Sequence, residues 1–421
     1  MPSTRVAISL VVSLGLFACG GHHHTDAGSD SSLPDSGLPD SAPLDSGLPD
    51  VGAPPACDIT PEVVTALPGY GDGSSPTGFA ATAGHYAFTF SSPPAASEGS
   101  AVHLAVVDAM GSTLADETLE EAQISDARIT DSKLASLGGS FFAVWTRANL
   151  DAMGVVTGTE IHNAVLSSDG EVLRPAATLY DSAVAPVLVA DDAGGFLLRS
   201  DVQFVSGTTV ITPHIAHLDL GGDPVGVDVN LLTFWQVDAT ELGLALANVG
   251  PTLLSRVPPS QLYSVSFSPE GGPLRSERRV TGFAYLDSSA ARDDRVLAVA
   301  TERVSGEGRV TAFVLARDGS LVAQAELGHG GDVQPRAAAV VAWPGFVVAW
   351  RQGQGDAAVL MAAGLDLEGN VRVPAQRLVA APGAVGPLFA AADGDGLALG
   401  FRQDAADGTA SLALVRSCAP R

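Results

Sequence analysis

The amino-acid sequence predicts an all-β protein: a seven-bladed β-propeller closed by its N-terminal strand, with six or eight blades as alternatives. Three observations carry the prediction. A degenerate segment of roughly 50 residues recurs between Cys57 and Cys418, a period at which four short strands make one propeller blade. Its clearest copies pair an apolar run ending in an aromatic residue with a tight turn farther on, as in GGSFFAVW (138–145) before SSDG (167–170) and WPGFVVAW (343–350) before DLEG (366–369). Glycines close these turns at Gly111, Gly170, Gly222, Gly271, Gly319 and Gly369, where glycine supplies the positive φ that tight hairpins require.

Four strands can be assigned within each copy. The first is short and rich in small residues, at Thr77–Ala80, Ile129–Lys133, Val187–Ala190, Arg336–Ala339 and Leu388–Ala391; small side chains suit strands that converge on a narrow axis. The second is the most apolar. It opens at Tyr86, Phe141, Phe196, Leu244, Val296, Phe346 and Leu397, with Phe90, Trp145, Trp350 and Phe401 four residues later. A sheet packed between two neighbours needs apolar side chains on both faces, so these aromatics are expected in the core and not on a sugar-stacking surface. The third strand ends at the glycine turn and the fourth follows it. In the last copy the third strand, 410–415, has no fourth strand after it, whereas ITPEVVTAL (59–67) resembles the fourth strand VRVPAQRLV (371–379) of the preceding copy. An N-terminal strand completing the last blade leaves no open seam. The fourth copy fits least well, with Asn248 where others carry an aromatic.

The first residues read as an export signal: Arg5, an apolar run from Val6 to Phe17 too short to span a bilayer, and LFAC at 16–19. The LFAC string resembles the lipobox of bacterial lipoproteins. That resemblance implies that residues 1–18 are a signal peptide and that Cys19 carries acyl chains, anchoring the chain in the cell envelope, with the outer membrane as the expected site. An ordinary secretory signal cleaved near Ala18 is the alternative. Residues 19–56 hold no Lys, Arg, Phe, Tyr or Trp and centre on SSLPD SGLPD SAPLD SGLPD (31–50). Proline and evenly spaced acids cannot gather a core, so this stretch is expected to be a disordered tether in front of a propeller spanning 57–421. With Cys19 acylated, Cys57 and Cys418 remain, one at each end of the propeller. The closing strand would bring them together as a disulfide in an oxidising compartment.

The chain carries 47 acidic residues against 22 Lys and Arg, a net charge of −25. Neutralising phosphates takes a basic footprint, so a nucleic-acid or anionic-lipid partner is excluded. No P-loop, GxSxG elbow, HExxH, CxxC or EF-hand loop is present. The sequence therefore predicts no catalytic residue, no metal site and no cofactor, and the chain is not expected to be an enzyme. His214 and His217 would point to opposite faces of a strand. His103, His162 and His214, each eight residues before its turn glycine, would sit on separate blades too far apart to share a metal. The six histidines of the propeller show no spacing that pairs them with acids. Asp393 and Asp395 in DGDG read as turn chemistry.

Recognition is expected on one face, where the connections differ between copies: 91–100, 147–158, 200–207, 248–259, 351–356 and 402–408. Variable connections on a rigid scaffold are where binding residues concentrate. Arg147, Arg303, Arg351 and Arg402 stand there at or near one repeat position. They either hold an anionic group such as a carboxylate or sugar acid, or pair locally with acids such as Glu302, Asp356 or Asp404.

The tandem PxLAA, GGFxVAW and LDxDG pattern behind an Asp/Pro/Ser/Gly linker resembles bacterial, myxobacterial-type lipoproteins with a β-propeller domain. The resemblance implies fold and sorting and supplies no catalytic residues. The expected function is that of a monomeric envelope lipoprotein, held to the membrane by its lipid, that binds or scaffolds an envelope protein or glycan through one loop face. A mainly structural envelope role and a polysaccharide- or glycoconjugate-active hydrolase or lyase are the alternatives.

Overall fold

The computed structural model describes residues from Ile59 to Cys418, apart from short internal stretches and the longer ones 231–240 and 267–277. The signal segment, Cys19, the tether, Cys57, Asn248 and Gly271 lie outside the described residues.

Strand β1 (Glu62–Tyr70) comes first in the chain. The first sheet follows with β2 (Pro76–Thr82), β3 (His85–Ser92), β4 (Ser100–Val107) and β5 (Thr113–Ala122). The second contains β6 (Ala127–Leu137), β7 (Ser140–Leu150), β8 (Val156–Leu166) and β9 (Val172–Asp181). The third contains β10 (Ala183–Asp191), β11 (Gly194–Val205), β12 (Thr208–Leu218) and β13 (Pro224–Asn230). The fourth contains β14 (Glu241–Ala247), β15 (Gly250–Val257), β16 (Gln261–Ser266) and β17 (Arg278–Thr281). The fifth contains β18 (Leu286–Arg292), β19 (Arg295–Val304), β20 (Glu307–Ala316) and β21 (Leu321–Gly330). The sixth contains β22 (Val333–Ala342), β23 (Phe346–Gln352), β24 (Val359–Leu365) and β25 (Val371–Ala380). The seventh contains β26 (Ala384–Asp393), β27 (Gly396–Asp404) and β28 (Ala410–Cys418), with β1 as its outer strand.

Every pairing within these four-stranded meanders is antiparallel, and β1 pairs with β28 from Glu62 opposite Arg416 to Tyr70 opposite Ala410. The innermost strands β2, β6, β10, β14, β18, β22 and β26 neighbour one another in that order, and β26 returns to β2. Sheets set radially around one axis, each packed between two others, make a β-propeller. Apolar clusters fill the spaces between sheets. Ala66, Phe79, Tyr86, Phe88, Leu412 and Leu414 pack where the seventh sheet meets the first, so that seam is sealed by the same kind of core as the others.

Turn glycines serve two purposes here. Gly170 sits at φ 91° and donates its N–H to the Ser167 carbonyl at 3.0 Å. A Cβ on Gly170 would also lie 2.3 Å from the Cβ of Ala115 on the preceding sheet. The tight turn and the close approach of the two sheets thus depend on the same missing side chain.

Two expectations change. The run ELGLALA around Leu244 is the first strand of the fourth sheet, not its second, and 250–257, expected as a variable connection, is the second strand. The runs ELGLALA and GPTLLSRV are both rich in apolar residues, so composition does not tell a first strand from a second. The expected loops are also shorter than their sequences suggest. The β7–β8 ladder runs out to Leu150 opposite Val156, and β11–β12 to Val205 opposite Thr208. The variable face differs between sheets in hairpin length more than in loop content.

Candidate functional site

The variable face carries the links into each innermost strand as well as the second-to-third-strand hairpins. The innermost strands are bulged just inside this face. Register breaks occur between Pro76 and Gly78, Thr130 and Lys133, and Val184 and Val187. They recur between Leu286 and Ser288, Val333 and Ala338, and Val385 and Phe389. Asp131, Ala185 and Gly386, at φ 54°, 54° and 70°, form left-handed kinks there, and bulges gather where a rim must be re-aimed. A bulge leaves backbone groups outside the ladder, and side chains of the preceding sheet satisfy several of them. The Ala185 N–H donates to Thr146 Oγ1 at 3.2 Å, and Arg351 Nη1 donates to the Gly386 carbonyl at 3.0 Å. The hydroxyls of Thr77 and Ser132 meet across the first two sheets.

A cavity of about 350 Å³ opens on this face between the sixth and seventh sheets. Its walls come from a 3-10 turn at Gly355–Ala357, the link before β26, the β27–β28 hairpin, and Thr65 and Pro68 of β1. The first three segments are tied together: the Gly383 N–H donates to the Gly355 carbonyl at 2.9 Å, and the Asp404 N–H donates to the Gly383 carbonyl at 2.8 Å. Gln403 Nε2 donates to the Pro382 carbonyl at 2.8 Å. A Cβ on Gly383 would lie 2.0 Å from the Asp404 carbonyl oxygen, so only glycine permits this closure. Asp356, Gln403, Asp404, Thr409 and Ser411 line the cavity, a set suited to hydroxyl-rich or cationic ligands.

The four arginines singled out in the sequence are placed as follows. Arg147 pairs with Glu120 of the preceding sheet and donates from Nε to Asn149 Oδ1 at 3.0 Å. Arg351 spans to the Gly386 bulge. Arg402 Nε lies 2.6 Å from Asp404 Oδ1 at the edge of the cavity. Arg303 is on β19 opposite Gly308. For Arg147, Arg351 and Arg402, local engagement is the arrangement the structure displays.

The sequence offered no spacing that pairs the propeller histidines with acids, and the structure supplies such pairs. His162 Nδ1 lies 2.8 Å from Glu120 Oε2 and its Nε2 2.7 Å from Glu160 Oε2. His85 meets Asp169 at 3.1 Å, His329 meets Glu326 at 3.2 Å and His214 meets Asp201 at 3.4 Å. Glu120 and Asp169 belong to sheets other than those of their histidines, so no local spacing reveals these pairs. Burial opposes the charge on His162, but its bonds to Glu120 and Glu160 outweigh that and raise its pKa. His103 instead stacks on Phe90 with centroids 5.1 Å apart, and burial lowers its pKa. The three equivalent histidines thus stand in three separate environments. Among the described residues, no group of three or more His, Cys, Asp or Glu side chains is placed to hold a metal ion.

No family model matches the chain, and no curated protein matches it in sequence. Solved structures do. The β-propeller domain of the trilobed protease from Pyrococcus furiosus is 10% identical over 84% of this chain and 96% of that one, with a TM-score of 0.44. A puromycin hydrolase is 14% identical over 82% of this chain and 54% of that one, TM-score 0.46. A xylan β-1,4-xylosidase from Bacillus halodurans is 12% identical over 81% of this chain and 68% of that one, TM-score 0.36. The chain spans about half the length of the hydrolase it matches. At such identities likeness bears on the fold alone. The expectation that the chain is not an enzyme nevertheless does not stand, since a xylosidase, a sialidase and an acylaminoacyl peptidase are among the structures similar to it. The reason is physical. A propeller site is assembled from turns of different blades, so the absence of a contiguous motif is no test of activity.

Proposed function

We propose that this chain is an exported, lipid-anchored seven-bladed propeller that binds a hydroxyl-rich envelope glycan or glycoconjugate through its variable face. The cavity between the sixth and seventh sheets carries this reading, because it offers carboxylates, an amide and hydroxyls on walls fixed by backbone hydrogen bonds. Pairing of β1 with β28 supports ring closure by the N-terminal strand. The LFAC string and the Asp/Pro/Ser tether support anchoring through Cys19 in the outer membrane, with the propeller acting as a monomer.

The test is equilibrium binding of envelope polysaccharide fragments to the purified full chain, beside Ser411→Arg, which fills the cavity. Binding by the parent that the variant loses, with an unchanged circular dichroism spectrum, supports the reading. Equal binding by both sinks it. A second reading, a polysaccharide hydrolase or lyase, is favoured by the two carboxylates Asp356 and Asp404 lining one cavity, since glycoside cleavage uses a carboxyl pair. Release of shortened fragments by the parent, absent in Asp356→Asn and Asp404→Asn, would support it.

A further inference from the structure

The chain has 22 Lys and Arg residues, and Lys133 is the one lysine among them. Arginine stays protonated at any ordinary pH, so Lys133 is the one basic side chain able to present a neutral amine. It stands on the innermost strand β6, immediately after the bulge between Thr130 and Lys133. Asp131 in that bulge holds φ 54° without being glycine, a conformation that persists where surroundings enforce it and that gathers at functional sites. Ser132, between them, is fully buried with its hydroxyl on Thr77. The backbone that carries Lys133 is thereby pinned in the middle of β6, independently of the lysine itself.

Lys133 is half-buried, and among the described residues its Nζ forms no hydrogen bond or ion pair. Burial lowers its pKa, with Asp131 opposing. A lysine kept for stability would find a carboxylate, and this chain has 47 acidic residues to supply one. An amine taken partly out of water without a partner is instead the arrangement that raises nucleophilicity near neutral pH.

We propose that Lys133 captures a small aldehyde or ketone as an imine on the innermost strand β6. The Nζ lone pair adds to the carbonyl carbon, the carbonyl π electrons move to oxygen, and a proton passes from nitrogen to that oxygen. Loss of water from the carbinolamine then leaves the C=N bond. One water is released and no oxidant or reductant takes part. The site is distinct from the glycan cavity, and its test does not depend on that reading.

The full chain carrying Arg372→Lys provides an internal comparison, since residue 372 is well exposed on β25. This protein is incubated with glycolaldehyde and cyanoborohydride at about pH 7, and the alkylated amines are mapped by peptide mass spectrometry. Lys133 should be modified several-fold faster than the amine introduced by Arg372→Lys, because burial lowers its pKa, and the preference should vanish in urea. A rate at Lys133 equal to or below that of the exposed amine, or a preference that survives unfolding, overturns the proposal.

Discussion

His162 and Glu120 join two adjacent sheets: Nδ1 of the histidine on β8 lies 2.8 Å from Oε2 of the glutamate on β5, and Glu160 holds Nε2 from the other side at 2.7 Å. With a carboxylate on each nitrogen, both ring nitrogens donate and the imidazolium is favoured. Its folded pKa therefore lies above the ordinary value of 6.5. A group whose pKa is raised on folding stabilises the protein fully below its unfolded pKa, and that contribution disappears as pH rises through the folded value. Glu120 and Glu160, both lowered from 4.5, behave oppositely, losing their contribution as pH falls. The bridge is therefore strongest between those limits. His162→Asn should cost about 1.5–3 kcal/mol near pH 6, the range for hydrogen bonds to charged groups, and progressively less as pH rises through the raised folded pKa. Urea unfolding of both proteins from acid to mildly alkaline pH reads this, and a difference independent of pH would count against the bridge.

Glu120 does more than face His162. Trp145 Nε1 donates to its Oε2 at 2.7 Å, and Arg147 pairs with its Oε1. Glu120→Gln should therefore destabilise by on the order of 3 kcal/mol, because it leaves partly buried donors without their anion. A double-mutant cycle with His162→Asn should give a coupling above about 1 kcal/mol, as expected for contacting members of one network. Simple additivity would show that the two residues act separately.

What the sequence could reveal follows from how local each constraint is. The turn glycines and the small innermost strands were legible because positive φ and a narrow axis act on single residues. Phe196 was assigned one position out of register. Gly195 pairs with Leu218 as Tyr86 pairs with Val107, each four residues before its turn glycine, and Phe196 stacks instead on His217 with centroids 4.8 Å apart. Arg199, opposite His214 as Trp145 is opposite His162, stands in the aromatic column. There it stacks 3.7 Å over the ring of Tyr180 on the preceding sheet. An arginine stacked on an aromatic of the neighbouring sheet thus takes the place of an aromatic, which a search for aromatics in one column cannot find. The bulges did leave a trace, Pro76, Pro186, Pro335 and Pro387 in first strands, since proline in a ladder marks an edge or a bulge. The cavity left none, because its walls come from four segments that only the fold brings together.

Trp350 and Gly328 form a matched pair between the fifth and sixth sheets. A Cβ on Gly328 would lie 2.9 Å from Trp350 Cζ2, and Trp350 is 1% exposed. Gly328→Ala should destabilise by about 1–3 kcal/mol through overpacking. Trp350→Phe alone should also destabilise, by leaving a void. Combined, the two should be less harmful than their sum, because the smaller ring makes room for the added methyl. Denaturant midpoints of the four proteins decide this, and strict additivity would place the strain elsewhere.

The last prediction concerns the ends of the propeller. Glu62 at the start of β1 pairs with Arg416 near the end of β28, and Cys418 Sγ lies 3.8 Å from the carbonyl oxygen of Ile59, two residues after Cys57 in the chain. We therefore expect a Cys57–Cys418 disulfide in protein produced in an oxidising compartment. Peptide mapping without reductant should recover the two cysteines linked. Because the bridge would close a loop of more than 300 residues, replacing both cysteines by serine should lower stability by up to about 5 kcal/mol, the chain-entropy value for so long a loop. If cooperative unfolding of the whole ring starts by release of β1 from β28, the unfolding rate should rise in proportion. Recovery of both cysteines alkylated, from protein isolated under oxidising conditions, would refute the bridge.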